Sequence, residues 1–272
     1  MIDHDNLEEF EDAENYDIGE DDAGIAFYSV LAKETGGPIL EIACGTGRVA
    51  IQIARLGFSV TGLDIVAGML EQARIKSTGS TAKWIEGDAR DFDLSDKFSL
   101  IFLTGNAFQA FLTRTDQEAL LARVYAHLSE TGLFAFETRN PKWQGSTVGL
   151  GAEESDSPGF AKLETRLEEQ HLPSYSDREG NEMSVSMTQT YDSVSQILEW
   201  TTTRRWLESQ HEKTKVTRIA VRFTFPQELE ALLHHNGFKL IRRYGDWDLS
   251  PLSPNSRSII IVCRKRAGFN QT

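Results

Sequence analysis

Cysteine is nearly missing from this chain: 272 residues carry two, Cys44 and Cys263, far apart in sequence. Such a pair makes no disulfide framework and suits a reducing compartment. Long apolar runs are missing too. No stretch approaches the ~20 residues needed to cross a bilayer, and the N-terminus is acidic where a signal peptide would be basic and then apolar. A cytoplasmic protein with no membrane partner is expected. Neither CxxC nor HxxxH occurs, so nothing has metal-ligand spacing. Lys and Arg number 28 against 41 Asp and Glu, and no basic stripe is available to neutralise phosphates, which argues against a nucleic-acid partner. No internal repeat is evident.

The net charge of -13 is a property of one segment. Residues 1–22 hold eleven acidic groups and no Lys or Arg, leaving a nearly neutral body of thirty acidic against twenty-eight basic residues. A charge run of this kind is ordinarily solvated, although Leu7, Phe10, Tyr16 and Ile18 give it groups with which to dock. The hydrophobic content of 40% and charged content of 25% are those of a globular protein able to bury one large core, or one core and a smaller unit.

From about residue 24 the chain alternates between helix and strand. Helices are expected over 24–35, 47–56, 66–76 and 116–128, with strands over 39–43, 58–63, 82–86, 98–103 and 133–137. That order implies an α/β protein with a parallel sheet covered on both faces. The pattern then changes. Residues 141–158 are rich in Gly, Ser and Pro and read as loop, and period-two alternation predicts antiparallel strands over 184–191, 197–207 and 215–225, with a fourth at 161–171. A helix over 227–235 and strands over 238–244 and 257–264 resume the first pattern. The expected organisation is an acidic segment (1–22), a core domain (23–140 and 226–272) and an inserted antiparallel sheet (141–225).

The run Ile39-Leu40-Glu41-Ile42-Ala43-Cys44-Gly45-Thr46-Gly47-Arg48 is the most informative stretch. An apolar strand ends in a glycine turn that opens a helix, so a ligand can approach the backbone and meet the helix's free amides. Asp64 ends the next strand nineteen residues after Gly45, the usual distance for a carboxylate that grips ribose hydroxyls. With Ala50, Gly45 and Gly47 also fit G-x-G-x-x-A, so a nicotinamide or flavin ligand must be weighed. Against it stand a helix ahead of the first strand, Glu41 inside that strand, and Gly87-Asp88-Ala89-Arg90-Asp91-Phe92 at a third strand end. A carboxylate placed there can accept from an adenine amino group.

These residues resemble the class I S-adenosylmethionine-dependent methyltransferases over about 16–140 and again over 226–264. The resemblance implies a Rossmann-like, doubly wound seven-stranded sheet whose last strand is antiparallel. It also implies S-adenosyl-L-methionine as cofactor, with S-adenosyl-L-homocysteine as product. Gly45 and Gly47 would let the methionine portion lie against the turn, Asp64 would hold the ribose, and Ile65 would pack on adenine. Asp88 and the amide of Ala89 would recognise the base. Glu41, Thr104 and Ala43 belong to the same expected cofactor site, and Ala43 stands where the family more often has a glycine. Thr104-Gly105-Asn106-Ala107-Phe108-Gln109, Glu137-Thr138-Arg139-Asn140-Pro141 and Tyr244-Gly245-Asp246-Trp247-Asp248 resemble small-molecule methyltransferases that modify amino sugars and amines, whose plan includes a sheet inserted after strand five. The Asn-Pro-Pro-Tyr type of tetrapeptide of DNA and protein amide methylases is absent.

Methyl transfer from a sulfonium depends mainly on positioning. A neutral amine needs little more, whereas a hydroxyl or thiol needs a base, and no residue announces itself as one. The six histidines fall on the tail, helix ends, turns or insert strands, where surface or capping roles are ordinary; His171 is the catalytic candidate among them. Asn106, with Phe108 and Gln109 as substrate contacts, follows strand four opposite the expected methyl group; the competing reading is a capped turn with a core aromatic. Arg139 either clamps a carboxylate or phosphate or forms an ion pair with the insert. Tyr16 either folds over the cofactor with the acidic segment or simply packs. Trp200, Thr202, Arg204 and Trp206 share a strand face, which makes Trp200 and Arg204 either a substrate wall or part of a sheet core or homo-oligomer interface. Cys44 and Cys263 look like buried packing.

The expected activity is methyl transfer to a small molecule, amine nitrogen favoured over oxygen. Other alkyl or dehalogenation chemistry and non-catalytic binding are the alternatives. Calorimetry should show S-adenosylhomocysteine binding, no response to NAD(H), and weaker binding once residues 1–22 are removed.

Overall fold

The structure, a computed structural model, describes residues 4–18, 23–141, 169–177, 179–208 and 211–269. Two compact units divide the chain: Asp21–Asn140 with Thr224–Thr272, and Met1–Glu20 with Pro141–Phe223.

The first unit alternates α1 (Ala23–Thr35), β1 (Ile39–Ile42), α2 (Arg48–Arg55), β2 (Val60–Asp64), α3 (Ala67–Lys76), β3 (Lys83–Glu86), β4 (Phe98–Leu103), α4 (Arg114–His127) and β5 (Leu128–Arg139). The β1 and β4 strands are entirely or almost entirely buried, because each carries apolar side chains to both faces of the sheet. Odd-numbered Ile39 joins Tyr28, Leu31, Val49 and Ile53 under α1 and α2, while Leu40 and Ile42 join Leu120, Leu121 and Val124 under α4.

Three differences from expectation bear on the sheet and its carboxyl edge. First, β5 begins at Leu128, so Gly132 lies within the strand. The register against β4 shifts between Phe98 and Leu100, and a Cβ at Gly132 would come within 3.0 Å of Phe98 O, a closeness that needs glycine. Second, α4 starts two residues earlier than apolar spacing indicates. Thr113 Oγ1 accepts from the Asp116 amide at 3.1 Å and Asp116 accepts from the Thr113 amide at 3.3 Å, a capping box. Third, a short 3-10 helix at Ala107–Ala110 was not foreseen.

In the second unit β6 (Gln170–Ser176), β7 (Glu182–Asp192), β8 (Ile197–Glu208) and β9 (His211–Arg222) form an antiparallel sheet in sequential order. Of the expected fourth strand, 161–168 lies outside the described residues, as does 142–158 of the expected loop; the strand found there starts at Gln170. Tyr191, Leu198, Val221 and Phe223 make a small core, with Trp200 packed against it. In the first unit, α5 (Pro226–His235), β10 (Phe238–Tyr244) and β11 (Ser258–Lys265) complete a seven-stranded sheet of order β10-β11-β5-β4-β1-β2-β3. β11 runs antiparallel to both of its neighbours. No helix among the described residues is long and apolar enough to cross a membrane.

The acidic segment is docked, and its polar groups do much of the docking. A 3-10 helix at His4–Phe10 lies along β9, which ends the four-stranded sheet. Two outward amides of β9 are met by side chains: Asn6 Oδ1 accepts from Ala220 at 2.6 Å and Glu8 from Arg218 at 2.9 Å. Glu9 accepts from the Thr217 hydroxyl and pairs with Arg204. An edge strand with unmet amides is a template for another strand. Replacing Asn6 and Glu8 together by Ala should therefore lower the melting temperature and raise self-association, measured by sedimentation velocity; an unchanged monomer fraction would contradict this.

Candidate active site

Between β1 and β4 the strand order reverses, and in open α/β sheets this switch point is where the crevice for ligands forms at the carboxyl ends. The backbone after β1 is left-handed at Ala43 (φ 54), Gly45 (φ 53) and Gly47 (φ 77). Only glycine adopts this region without strain, so Ala43 carries a cost of about 1–2 kcal/mol. Gly47 is constrained from a second side, since a Cβ there would come within 2.5 Å of the Trp84 ring. Part of the glycine requirement is thus packing, a cause the motif alone does not reveal.

Three carboxyl groups brace the strand ends. Asp64 accepts from the Gly45 amide at 2.7 Å and, through its other oxygen, from the Val66 amide at 2.9 Å. Burial raises its pKa, opposed by the Val66, Gly45 and Ile65 amides. Glu41 accepts from the Ala50 amide at 2.8 Å and from the Thr104 hydroxyl at 2.9 Å, which ties β1 to α2 and to the end of β4. Burial pushes its carboxyl up to about 8, against the lowering effect of those hydrogen bonds and of Arg48. Glu137, near the end of β5, accepts from the Asn106 amide at 3.2 Å and contacts the Tyr28 hydroxyl. Burial raises Glu137 as well.

Asp88 follows β3 and is clasped by Arg90, with an Nη2–Oδ2 distance of 2.6 Å; Arg90 also reaches Asp116 at 3.2 Å. Burial acts to raise Asp88, but the Arg90 hydrogen bonds and charge hold it below the usual carboxylate range. Ile65 is half-buried, and Ala89 packs against the core beneath. Asn106 sits in left-handed backbone (φ 59), and its side-chain Oδ1 is buried with no hydrogen-bond partner among the described residues. Arg139 donates to Gln109 Oε1 at 2.9 Å, so these two expected residues meet. Phe108 is fully buried and stacked on Phe136 at 4.6 Å between ring centroids; this packing supports the core reading of that ring.

Tyr16, His171, Trp200 and Arg204 stand in the other unit. Tyr16 packs against Phe10, His171 is exposed on β6, Trp200 covers the small core, and Arg204 pairs with Glu9. His127, expected at a surface or capping position, is a buried cap: Nε2 accepts from the Leu94 amide and Nδ1 faces Arg123 O. Both cysteines are buried and unpaired, with burial raising each thiol. Among the described residues no three His, Cys, Asp or Glu side chains gather into a metal site. Tyr28 and Glu137 are further buried polar groups of this edge, and spacing alone does not single them out. The available signal was an acid at the end of the apolar run Leu133-Phe134-Ala135-Phe136, matching Glu41 in its own strand.

The fold is Rossmann-like, with carboxyl groups gathered at the strand ends. A sequence model of the methyltransferase domain matches residues 39–132. The cypemycin N-terminal methyltransferase of a Streptomyces species is 24% identical over 250 residues, covering 89% of each chain. A dTDP-3-amino-3,6-dideoxy-alpha-D-glucopyranose N,N-dimethyltransferase of Streptomyces fradiae is 30% identical over 144 residues, 52% of each. Two further curated methyltransferases, of Geobacillus and Bacillus subtilis, are matched over only 42% and 43% of their own lengths. Among solved structures, the CcbJ methyltransferase of Streptomyces caelestis shares the fold with a TM-score of 0.75, 21% identity and 97% coverage of both chains. Residues 39–132 thus carry a methyltransferase-type domain, and the chain is similar to S-adenosylmethionine-dependent methyltransferases.

The raised Glu41 has a consequence for stability. Its ordinary value is 4.5, so between that and about 8 the folded state keeps a proton that the unfolded chain releases. This contribution is complete below the unfolded value and is lost as pH rises through the folded one. The melting temperature should fall from about pH 5 to about pH 9, and Glu41→Gln should flatten that slope. A slope identical in the variant would assign the effect elsewhere.

Proposed function

We propose that this protein transfers a methyl group from S-adenosylmethionine to an amine nitrogen of a small molecule. The observation that carries recognition of a donor-bearing acceptor is Asn106 Oδ1, a buried acceptor with no donor among the described residues, just beyond β4. Leaving such a group unpaired costs about 1–3 kcal/mol, which an incoming N–H would recover. The name of the Streptomyces fradiae relative, an amino-sugar N,N-dimethyltransferase, supports the same acceptor class.

The residues present fit the cofactor. Asp64 takes the Gly45, Val66 and Ile65 amides, and a carboxylate offers about four acceptor positions, so it retains capacity for a ribose hydroxyl. Gly45 and Gly47 hold the backbone in a form open to close approach, Ile65 offers an apolar surface, and Asp88 with the Ala89 amide is assigned to the adenine. When bound, S-adenosylmethionine supplies an electrophilic methyl group on a sulfonium. The protein's own part is orientation: Asn106 accepts an N–H of the acceptor so that the nitrogen lone pair points across the strand ends. Gln109 and Arg139 form the adjoining polar wall. We place the enzyme in the cytoplasm, consistent with its two unpaired buried thiols, and we assign any self-association through the insert to the β6 side, because β9 is covered.

Asn106→Gly keeps the left-handed backbone and removes only the amide. It should lower kcat on an amine acceptor by about tenfold, while S-adenosylhomocysteine affinity stays within about twofold. Mass spectrometry of products from labelled cofactor against panels of primary amines and alcohols is the test. Methylation of alcohols alone would reject the amine assignment.

A further inference from the structure

Tyr28 and Glu137 raise a question of proton count. Tyr28 is fully buried on α1, and its hydroxyl lies 2.9 Å from Leu103 O and within hydrogen-bond distance of a Glu137 carboxyl oxygen. One hydroxyl proton cannot serve both. Leu103 O can only accept, so Tyr28 donates there, and the proton between Tyr28 and Glu137 must come from the carboxyl. The other Glu137 oxygen accepts from the Asn106 amide. No cation is paired with this carboxyl in the described contacts. The ionisable groups around it are Tyr28 on α1 and Glu41 on β1, with Arg48 on α2 acting on Glu41. Arg139, two residues along β5, donates to Gln109.

We propose that Glu137 is held as the uncharged acid at neutral pH and serves as a positioning residue. Its proton runs to Tyr28 and onward to Leu103 O, while its carbonyl oxygen fixes the Gly105–Asn106 turn that carries the acceptor-binding amide. Gly105 and Asn106 both have left-handed backbone, with φ 65 and 59, so the turn depends on an anchor of this kind. Loss of the proton would leave Tyr28 with two acceptors and put an unpaired negative charge behind the turn. Orientation of Asn106, and with it kcat, would then fall at alkaline pH. The positioning role rests on the methyltransferase reading; the protonation state does not.

The first measurement is independent of activity. In full-length protein with 13C-labelled glutamate, the Glu137 carboxyl resonance is identified by its loss in Glu137→Gln. It should keep the shift of a neutral acid at pH 7, whereas titration in the ordinary carboxylate range would overturn the proposal. The second is kinetic. Glu137→Gln can donate to Tyr28 and accept from Asn106, so it should restore kcat to within about threefold of wild type and remove the alkaline loss, while Glu137→Ala should lose about tenfold or more. Equal losses in both variants, or an unchanged alkaline limb in Glu137→Gln, would reject the positioning role. If Glu137→Ala does not fold, the resonance and the Glu137→Gln pH profile decide. S-adenosylhomocysteine titration of the wild type separates the two ideas: no binding sinks the methyltransferase reading and leaves the carboxyl titration intact.

Discussion

Glu41 is the constraint on which the site depends. It is an acid in the middle of a fully buried strand, and its two oxygens hold the Ala50 amide of α2 and the Thr104 hydroxyl beyond β4. Those two contacts set the angle at which α2 leaves the glycine turn and the distance between the turn and the end of the neighbouring strand. A leucine of similar size would fill the space and meet neither group. Burying a carboxyl is expensive unless its hydrogen bonds are made, and the rise of its pKa to about 8 is the electrostatic trace of that burial.

Glu137 extends the same construction one strand further. Glu41 on β1, Thr104 just beyond β4 and Glu137 on β5 lie close together near the carboxyl ends of adjacent strands. Tyr28 closes the row from α1, stacked on Phe102 at 4.7 Å between ring centroids. Polar groups buried in this way rigidify a site because each depends on the others for a partner. Catalysis that relies on orientation rather than on a strong base gains directly from such stiffness.

The second unit uses polar groups differently. Its acidic segment looked solvated from charge density alone, yet Asn6, Glu8 and Glu9 are spent on the β9 edge, on Thr217 and on Arg204. Arg204 therefore stands in an ion pair with Glu9, and Trp200 belongs to a small core, where the sequence left both open between pocket wall and sheet interior. Charge runs are judged by what surrounds them in sequence, and the partner strand here lies some two hundred residues away.

The alternation of apolar runs and glycine stops was enough to determine the order of helices and strands, because periodicity is a local property of the chain. Gly45, Asp64 and Asp88 were equally legible, since each ends or follows a strand at a spacing set by the βα repeat. What the sequence could not determine was which buried polar groups meet. The Tyr28–Glu137 contact joins residues 109 apart, and Arg90 takes hold of Asp88 through a side chain whose direction no motif encodes. Strand order brought Glu41, Thr104 and Glu137 side by side, and only the tertiary structure decides strand order, because sheet pairing is made by packing between distant segments and not by the residues adjacent in the chain.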